Sequence, residues 1–180
     1  TAIYTAFPVK NSKNKDILNC EVVIWTTTPW TIPANKALAY NKSLKYLIIE
    51  VKSEINFKNK KIIVSSELLN SFVDECKIKK FKKISEFSGN EFKGTICMHP
   101  FHNLGYGHDV PMLDASFVTT EQGTGIVHCA PSHGPDDFNL CLNNGIKALE
   151  TVDDDGKYTS NIPLFEGTHI FKANAIVIEK

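Results

Sequence analysis

Arginine is absent from this 180-residue chain: all 20 basic residues are lysine, and 20 acidic residues balance them. Without guanidinium groups there is no bidentate fork for phosphate or carboxylate, so any phosphate contact falls to lysine point charges or backbone amides. The abundance of asparagine beside lysine points to codon bias as the origin. A formal net charge of zero excludes a general nucleic-acid coat protein but leaves room for a local basic patch. Cysteine is thin as well: Cys20, Cys76, Cys97, Cys129 and Cys141 form no C-x-x-C pair and are odd in number. That excludes a disulfide framework or zinc ribbon and predicts a reducing, cytoplasmic location. No apolar run approaches the ~18 residues of a bilayer span, the longest lying around Tyr46 to Ile49. The chain begins at Thr1 without a charged-then-apolar leader, so it reads as a piece cut from something longer.

What is present suits one globular domain over residues 1–180. Hydrophobic residues make up 42% and are spread along the whole chain, which excludes disorder. A chain of this length buries roughly 70% of its unfolded surface without needing a metal or disulfides. Short β-like runs predict strands over Ile3–Val9, Glu21–Thr27, Lys45–Val51 and Lys61–Ser65, the last two paired across a Lys/Asn turn. A helix is predicted from Ser66 to about Cys76, capped by Ser65 or Ser66, with Leu68, Leu69, Phe72, Val73 and Cys76 on one face. A lysine-rich strand runs to Phe87, a loop-heavy stretch covers Ser88 to Pro111, and two strands, Ala115–Thr120 and Gly125–Cys129, flank a turn. A second helix should start near Pro135 and stop by Gly145, Asp153 to Gly156 should turn, and a last helix should start near Thr168. The composite is a β-rich α+β fold, barrel-like with peripheral helices.

Two segments hold too many special residues for ordinary strands and turns. In Trp25-Thr26-Thr27-Thr28-Pro29-Trp30-Thr31-Ile32-Pro33-Ala34-Asn35, three threonines at a strand end put hydroxyls on both faces of the pleat before Pro29 breaks the ladder. A lone Thr-Thr pair would be plain strand propensity; the eleven-residue string is not. In Gly123-Thr124-Gly125-Ile126-Val127-His128-Cys129-Ala130-Pro131-Ser132-His133-Gly134-Pro135-Asp136-Asp137-Phe138, a strand ends in a histidine and two carboxylates follow at a helix start. A carboxylate there is held ionised by backbone amides and can receive an ammonium group. For one of the two aspartates, Asp136, simple capping is the expectation.

These strings resemble the editing domain of isoleucyl-tRNA synthetases, the insertion called connective peptide 1, which carries W-T-T-T-P-W-T-x-P-A-N and G-T-G-x-V-H-x-A-P-x-H-G-x-D-D-[YF] in this order. The valine and leucine enzymes are similar but carry T-T-R-P, so Thr28 favours the isoleucine type. Weaker similarity extends over Tyr4 to Pro8, His99-Pro100-Phe101 and Asp155-Gly156. The resemblance implies hydrolysis of the ester of misacylated Val-tRNA(Ile), with Ile-tRNA(Ile) spared. Binding alone discriminates one methylene by only about 10- to 200-fold, isoleucyl-tRNA synthetase being the standard example, and a second sieve makes up the difference. The family pattern assigns Asp137 to the α-ammonium of the misattached amino acid, and Thr27 and Thr28 to the ester end and its water, with Thr26 beside them. It assigns His128 to a pocket wall near the amino-acid side chain, and Trp30, Thr31 and Asn35 to pocket and loop support. The H-I-G-H and K-M-S-K-S strings of the parent synthetases are absent. ATP and Mg are therefore expected only at a synthetic domain outside this chain, with no cofactor or metal here. The expected partners are the 3′ end of tRNA(Ile) and the remainder of the synthetase, with no membrane, in a monomer.

Three rival readings are weaker. His128, His133, Asp136 and Asp137, or Cys97, His99, His102 and His108, could be imagined as metal ligands, but neither set has a zinc spacing. Cys129 beside His128 could be imagined as a nucleophile pair, but adjacent strand residues point to opposite faces. Lys77, Lys79, Lys80, Lys82 and Lys83 could bind RNA, although such a run more often solvates and protects a sheet edge.

Overall fold

In the computed structural model, which describes residues 2–52 and 57–180, a single mixed sheet of nine strands organises the chain. The strands are β1 (Ile3–Asn11), β2 (Glu21–Thr26), β3 (Ala37–Tyr40), β4 (Lys45–Val51), β5 (Lys61–Ser65), β6 (Phe81–Ser88), β7 (Ile96–Met98), β8 (Asp109–Asp114) and β9 (Ile126–Cys129). Their order across the sheet is β6-β4-β5-β2-β1-β7-β8-β3-β9. The far strand β9 returns against β2 without ladder bonds to it, giving the expected barrel-like form, and β5, β4 and β6 extend it as a wing. Among the described residues three α-helices lie around it: α1 (Leu69–Glu75), α2 (Pro135–Asn143) and α3 (Ile170–Ile178). Among the described residues no helix is long and apolar enough to cross a membrane.

Two-residue periodicity sorts side chains between layers. In β2, Val22 and Ile24 enter the barrel core while Val23 joins the cluster under α1, so both faces are covered and the middle of the strand, Val22 to Trp25, is apolar without alternation. The five apolar residues expected on the α1 face are all buried, each worth ~1.5–3 kcal/mol when fully removed from water. The helix is not capped as expected. Leu68 takes the N-cap position with no side-chain bond, Ser66 donates instead to Glu86, and Ser65 is wholly buried in β5. The turn expected between β4 and β5 lies partly outside the described residues.

Other expectations need correction. The "loop-heavy" stretch contains β7 and β8, which are short and in β8 interrupted by Pro111, a residue that normally argues against a strand. The expected strand over 115–120 is a turn: Val118 bonds the Ala115 carbonyl at 3.3 Å. Ala115 and Val118 bury together at a spacing of three instead of alternating. The Lys-rich strand is β6, the edge of the wing, with Lys82 and Lys83 exposed as an edge strand favours.

Candidate active site

The two special segments meet across the seam between β2 and β9. β2 stops at Thr26, one residue short of the expected Thr27, and Pro29 opens a 3-10 helix over Pro29–Ala34. Thr26 shares the inward face of Val22 and Ile24 and is 6% exposed, while Thr27 and Thr28 stand in solvent at the strand end. The Thr26 hydroxyl accepts the Thr28 amide at 3.1 Å and lies 3.2 Å from the Thr28 hydroxyl, which fixes the bend. Opposite, His128 shares the inward face of Ile126 on β9, and Cys129 faces the other way into the cluster under α2. A Cys129–His128 nucleophile pair is therefore ruled out by geometry. Burial also pushes the Cys129 thiol well above its ordinary range.

A cavity of about 350 Å³ opens between these strand ends. Thr26, Thr27, Thr28, Thr31, His128 and Asp137 all line it. Trp30 and Asn35, also expected at the site, do not. Trp30 packs edge-on against His133 at 4.8 Å, and its amide is tied to Asn174 of α3 at 3.0 Å. Asn35 is fully buried behind His128. The sequence did not assign Phe117, Thr119, Gln122 or His133 to a pocket, yet all four line the cavity. The first two sit in the segment expected to be a strand, and only its turn brings them to the cavity mouth. His133, within the second string, carried only the weak reading as a metal ligand. The glycines of that string have a steric reason. Gly125 has φ +73° and a Cβ there would lie 2.5 Å from Ser65 Cβ, so no side chain fits.

The His128 ring is held at both nitrogens. Asn35 Nδ2 bonds the Ala37 carbonyl at 2.9 Å and the His128 Nδ1 at 3.3 Å, so Nδ1 is an acceptor. The ring proton is thereby assigned to Nε2, which donates to the Thr31 hydroxyl at 2.9 Å; that hydroxyl in turn donates to the Thr28 carbonyl at 2.9 Å. Burial pushes the His128 imidazole down to about 4, and neighbouring His133 adds to the shift. The ring is neutral and immobilised at neutral pH, suited to a wall and not to taking a proton from water. Burial lowers His99 similarly, to about 3. Both folded values lie below the ordinary histidine value, so between about pH 6.5 and pH 4 the unfolded chain binds more protons. The stability these neutral rings contribute is complete above about pH 6.5 and falls away as the pH drops through that window. Urea midpoints measured from pH 7 to pH 4.5 should fall over this interval, and His99→Gln should flatten the fall.

Asp137 is half-buried in the first turn of α2, and its Oδ2 accepts the Ala130 amide at 2.9 Å. Burial raises its pKa, the Ala130 bond opposes this, and Asp136 raises it further. Asp136 is exposed, and Gly134 holds the N-cap position with no side-chain bond. The expected capping role of Asp136 is thus reduced to the helix dipole, ~0.3–1 kcal/mol. Among the described residues no group of three or more His, Cys, Asp or Glu is placed to hold a metal ion. His99 and His108 are each bonded to a backbone carbonyl, at 2.9 Å and 3.0 Å.

A family model described as leucyl-tRNA synthetase, editing domain, matches residues 4–177. The isoleucine--tRNA ligase of Pelagibacter ubique is 71% identical over 178 residues, 99% of this chain and 20% of the relative. That of Gluconobacter oxydans is 44% identical over 179 residues, 96% of this chain and 19% of the relative. The crystal structure of the P. knowlesi cytosolic leucyl-tRNA synthetase editing domain superposes with a TM-score of 0.72 at 11% identity, covering 99% of this chain and 91% of that one. It shares the fold. The chain spans about a fifth of the length of these curated relatives. It belongs to the family of aminoacyl-tRNA synthetase editing domains, as a connective peptide 1 domain of the isoleucyl type.

Proposed function

We propose that this domain hydrolyses the ester bond of Val-tRNA(Ile) and spares Ile-tRNA(Ile). One observation carries the reading: a single cavity has a half-buried carboxylate on one side, threonine hydroxyls on the other and a neutral, doubly bonded imidazole as wall. Its volume of about 350 Å³ falls in the ordinary range of small-molecule sites, ~300–1,000 Å³. Asp137 would take the α-ammonium, whose charge also favours the ionised carboxylate against burial. The Thr27 and Thr28 hydroxyls would orient the ester and its attacking water and donate to the oxyanion as it forms. The attack breaks the bond between acyl carbon and ribose oxygen, releasing valine and tRNA. An aminoacyl ester is already activated, so positioning of water supplies much of the rate. No cofactor or metal takes part; ATP and Mg serve the synthetic domain of the parent enzyme.

The working partners are the 3′ end of tRNA(Ile) and the rest of a monomeric, cytoplasmic synthetase, with the lysines beside and along β6 available to the tRNA backbone. Deacylation time courses of Val-tRNA(Ile) and Ile-tRNA(Ile) by the full-length synthetase test the reading. Valyl ester should disappear much faster than isoleucyl ester. Equal rates, or none above the uncatalysed background, would refute it.

A further inference from the structure

The histidine of His99-Pro100-Phe101 lies outside the cavity, immediately after β7, and is completely buried. Its Nδ1 accepts the Phe101 amide at 3.0 Å, so Nε2 carries the proton and donates it to the Ile32 carbonyl at 2.9 Å. The ring stacks on Tyr106 with centroids 4.6 Å apart and planes at 16°. Nearby, the half-buried His108 donates from Nε2 to the Asn35 carbonyl at 3.0 Å. Both acceptors lie at the C-terminal end of the 3-10 helix that follows β2. Thr31 and Asn35, which hold the two nitrogens of His128, are on that same short turn.

We propose that His99 and His108 are positioning residues for His128. They clamp the carbonyls of Ile32 and Asn35, and so fix the depth at which Thr31 and Asn35 hold the wall. The inference rests on the proposed editing reaction. Packing alone does not explain the choice: an apolar side chain would fill the His99 site without the cost of burying two polar nitrogens. A short 3-10 helix has few bonds of its own, and its Ile32 carbonyl also receives the Asn35 amide, at 3.0 Å. A wall that must tell one methylene from none has to stand within a fraction of an ångström, because repulsion rises steeply over that distance.

The test compares His99→Leu, which removes the donor and keeps apolar bulk, with His99→Gln, which keeps an N–H near the Nε2 position, and with His108→Ala. In the full-length synthetase, kcat/KM for the isoleucyl ester relative to the valyl ester should rise at least ~10-fold in His99→Leu. It should return to within about threefold of wild type in His99→Gln, and rise less in His108→Ala. A merely structural role would lower both rates with the melting temperature and leave the ratio alone, which would overturn the inference. If His99→Leu does not fold, an unchanged ratio in the folded His108→Ala overturns it equally. Imidazole ¹⁵N shifts of His128 give a readout independent of activity: the single Nε2–H form should persist in wild type and lose definition in His108→Ala. Were the wild-type enzyme inactive on Val-tRNA(Ile), the editing reading would fall; were it active and the ratio and ¹⁵N shifts unmoved, only the positioning role would.

Discussion

Asp137→Asn should lower kcat/KM for Val-tRNA(Ile) hydrolysis by roughly 30- to 1,000-fold, the equivalent of ~2–4 kcal/mol for a desolvated charge pair. The amide is chosen because the carboxylate has a second duty, accepting the Ala130 amide. Alanine would leave that half-buried N–H without its partner, at ~1–3 kcal/mol, and confuse a fold defect with a catalytic one. Asparagine keeps an acceptor oxygen and removes only the charge. Because burial holds the Asp137 pKa above its ordinary value, wild-type activity should begin to fall, as pH is lowered, at a higher pH than an exposed aspartate would dictate. The variant should lose this acid limb. Asp136→Ala, at an exposed position without a capping bond, should change both rate and melting temperature little. Equal loss of rate in Asp136→Ala would place the ammonium partner on the wrong aspartate.

His128→Ala should leave Val-tRNA(Ile) hydrolysis within about tenfold of wild type and turn Ile-tRNA(Ile) into a substrate. The surrounding bonds favour a clean result. When the ring is removed, the Thr31 hydroxyl still donates to the Thr28 carbonyl and the Asn35 amide still donates to the Ala37 carbonyl. The second N–H of Asn35 Nδ2 loses its His128 acceptor, but the vacated space is continuous with the cavity that His128 lines, so water can reach it. The gain is not limited to the ~1–3 kcal/mol that burial of one methylene supplies, because a rigid wall acts through overlap. Paired deacylation time courses in the full-length enzyme decide it. Loss of valyl hydrolysis with isoleucyl ester still spared would make His128 a support and place the wall elsewhere.

Much of this site was legible because its chemistry needs unusual residues close together. Three threonines before Pro29, and His128 before a Gly/Pro loop and two aspartates, have no ordinary reason to occur as they do. β4 and β5 were legible to the residue, since each is a near-continuous apolar run bounded by polar turns. β3 was not. Its Ala37-Leu38-Ala39-Tyr40 has no alternation because Leu38 and Tyr40 face the barrel while Ala37 and Ala39 are covered by the cluster under α2. Four residues buried on both faces look the same as a piece of helix. The segment 115–120 failed in the opposite sense: β-branched and aromatic residues suggested a strand, and tertiary packing imposed a turn. That miss concealed Phe117 and Thr119. His128 shows the limit most clearly. Its inward direction follows from strand periodicity, but its two bonding partners come from a turn almost a hundred positions away, and nothing local announces them.

The seam between β2 and β9 also governs when the pocket can exist. Its walls come from residues near position 26 and near position 128, and between them β3 must pair in parallel with β8 across some seventy residues, Leu38 opposite Met112. Such distant pairings require large loops to close before any contact rewards them, which sets folding on the millisecond-to-second scale typical of β-rich topologies. On a ribosome adding ~5–20 residues per second, the threonine half waits several seconds for its counterpart to be synthesised. Through that interval the inward face of β2 lacks its packing against β9. The nascent chain is thus most vulnerable to mispairing or chaperone capture just before this pocket forms.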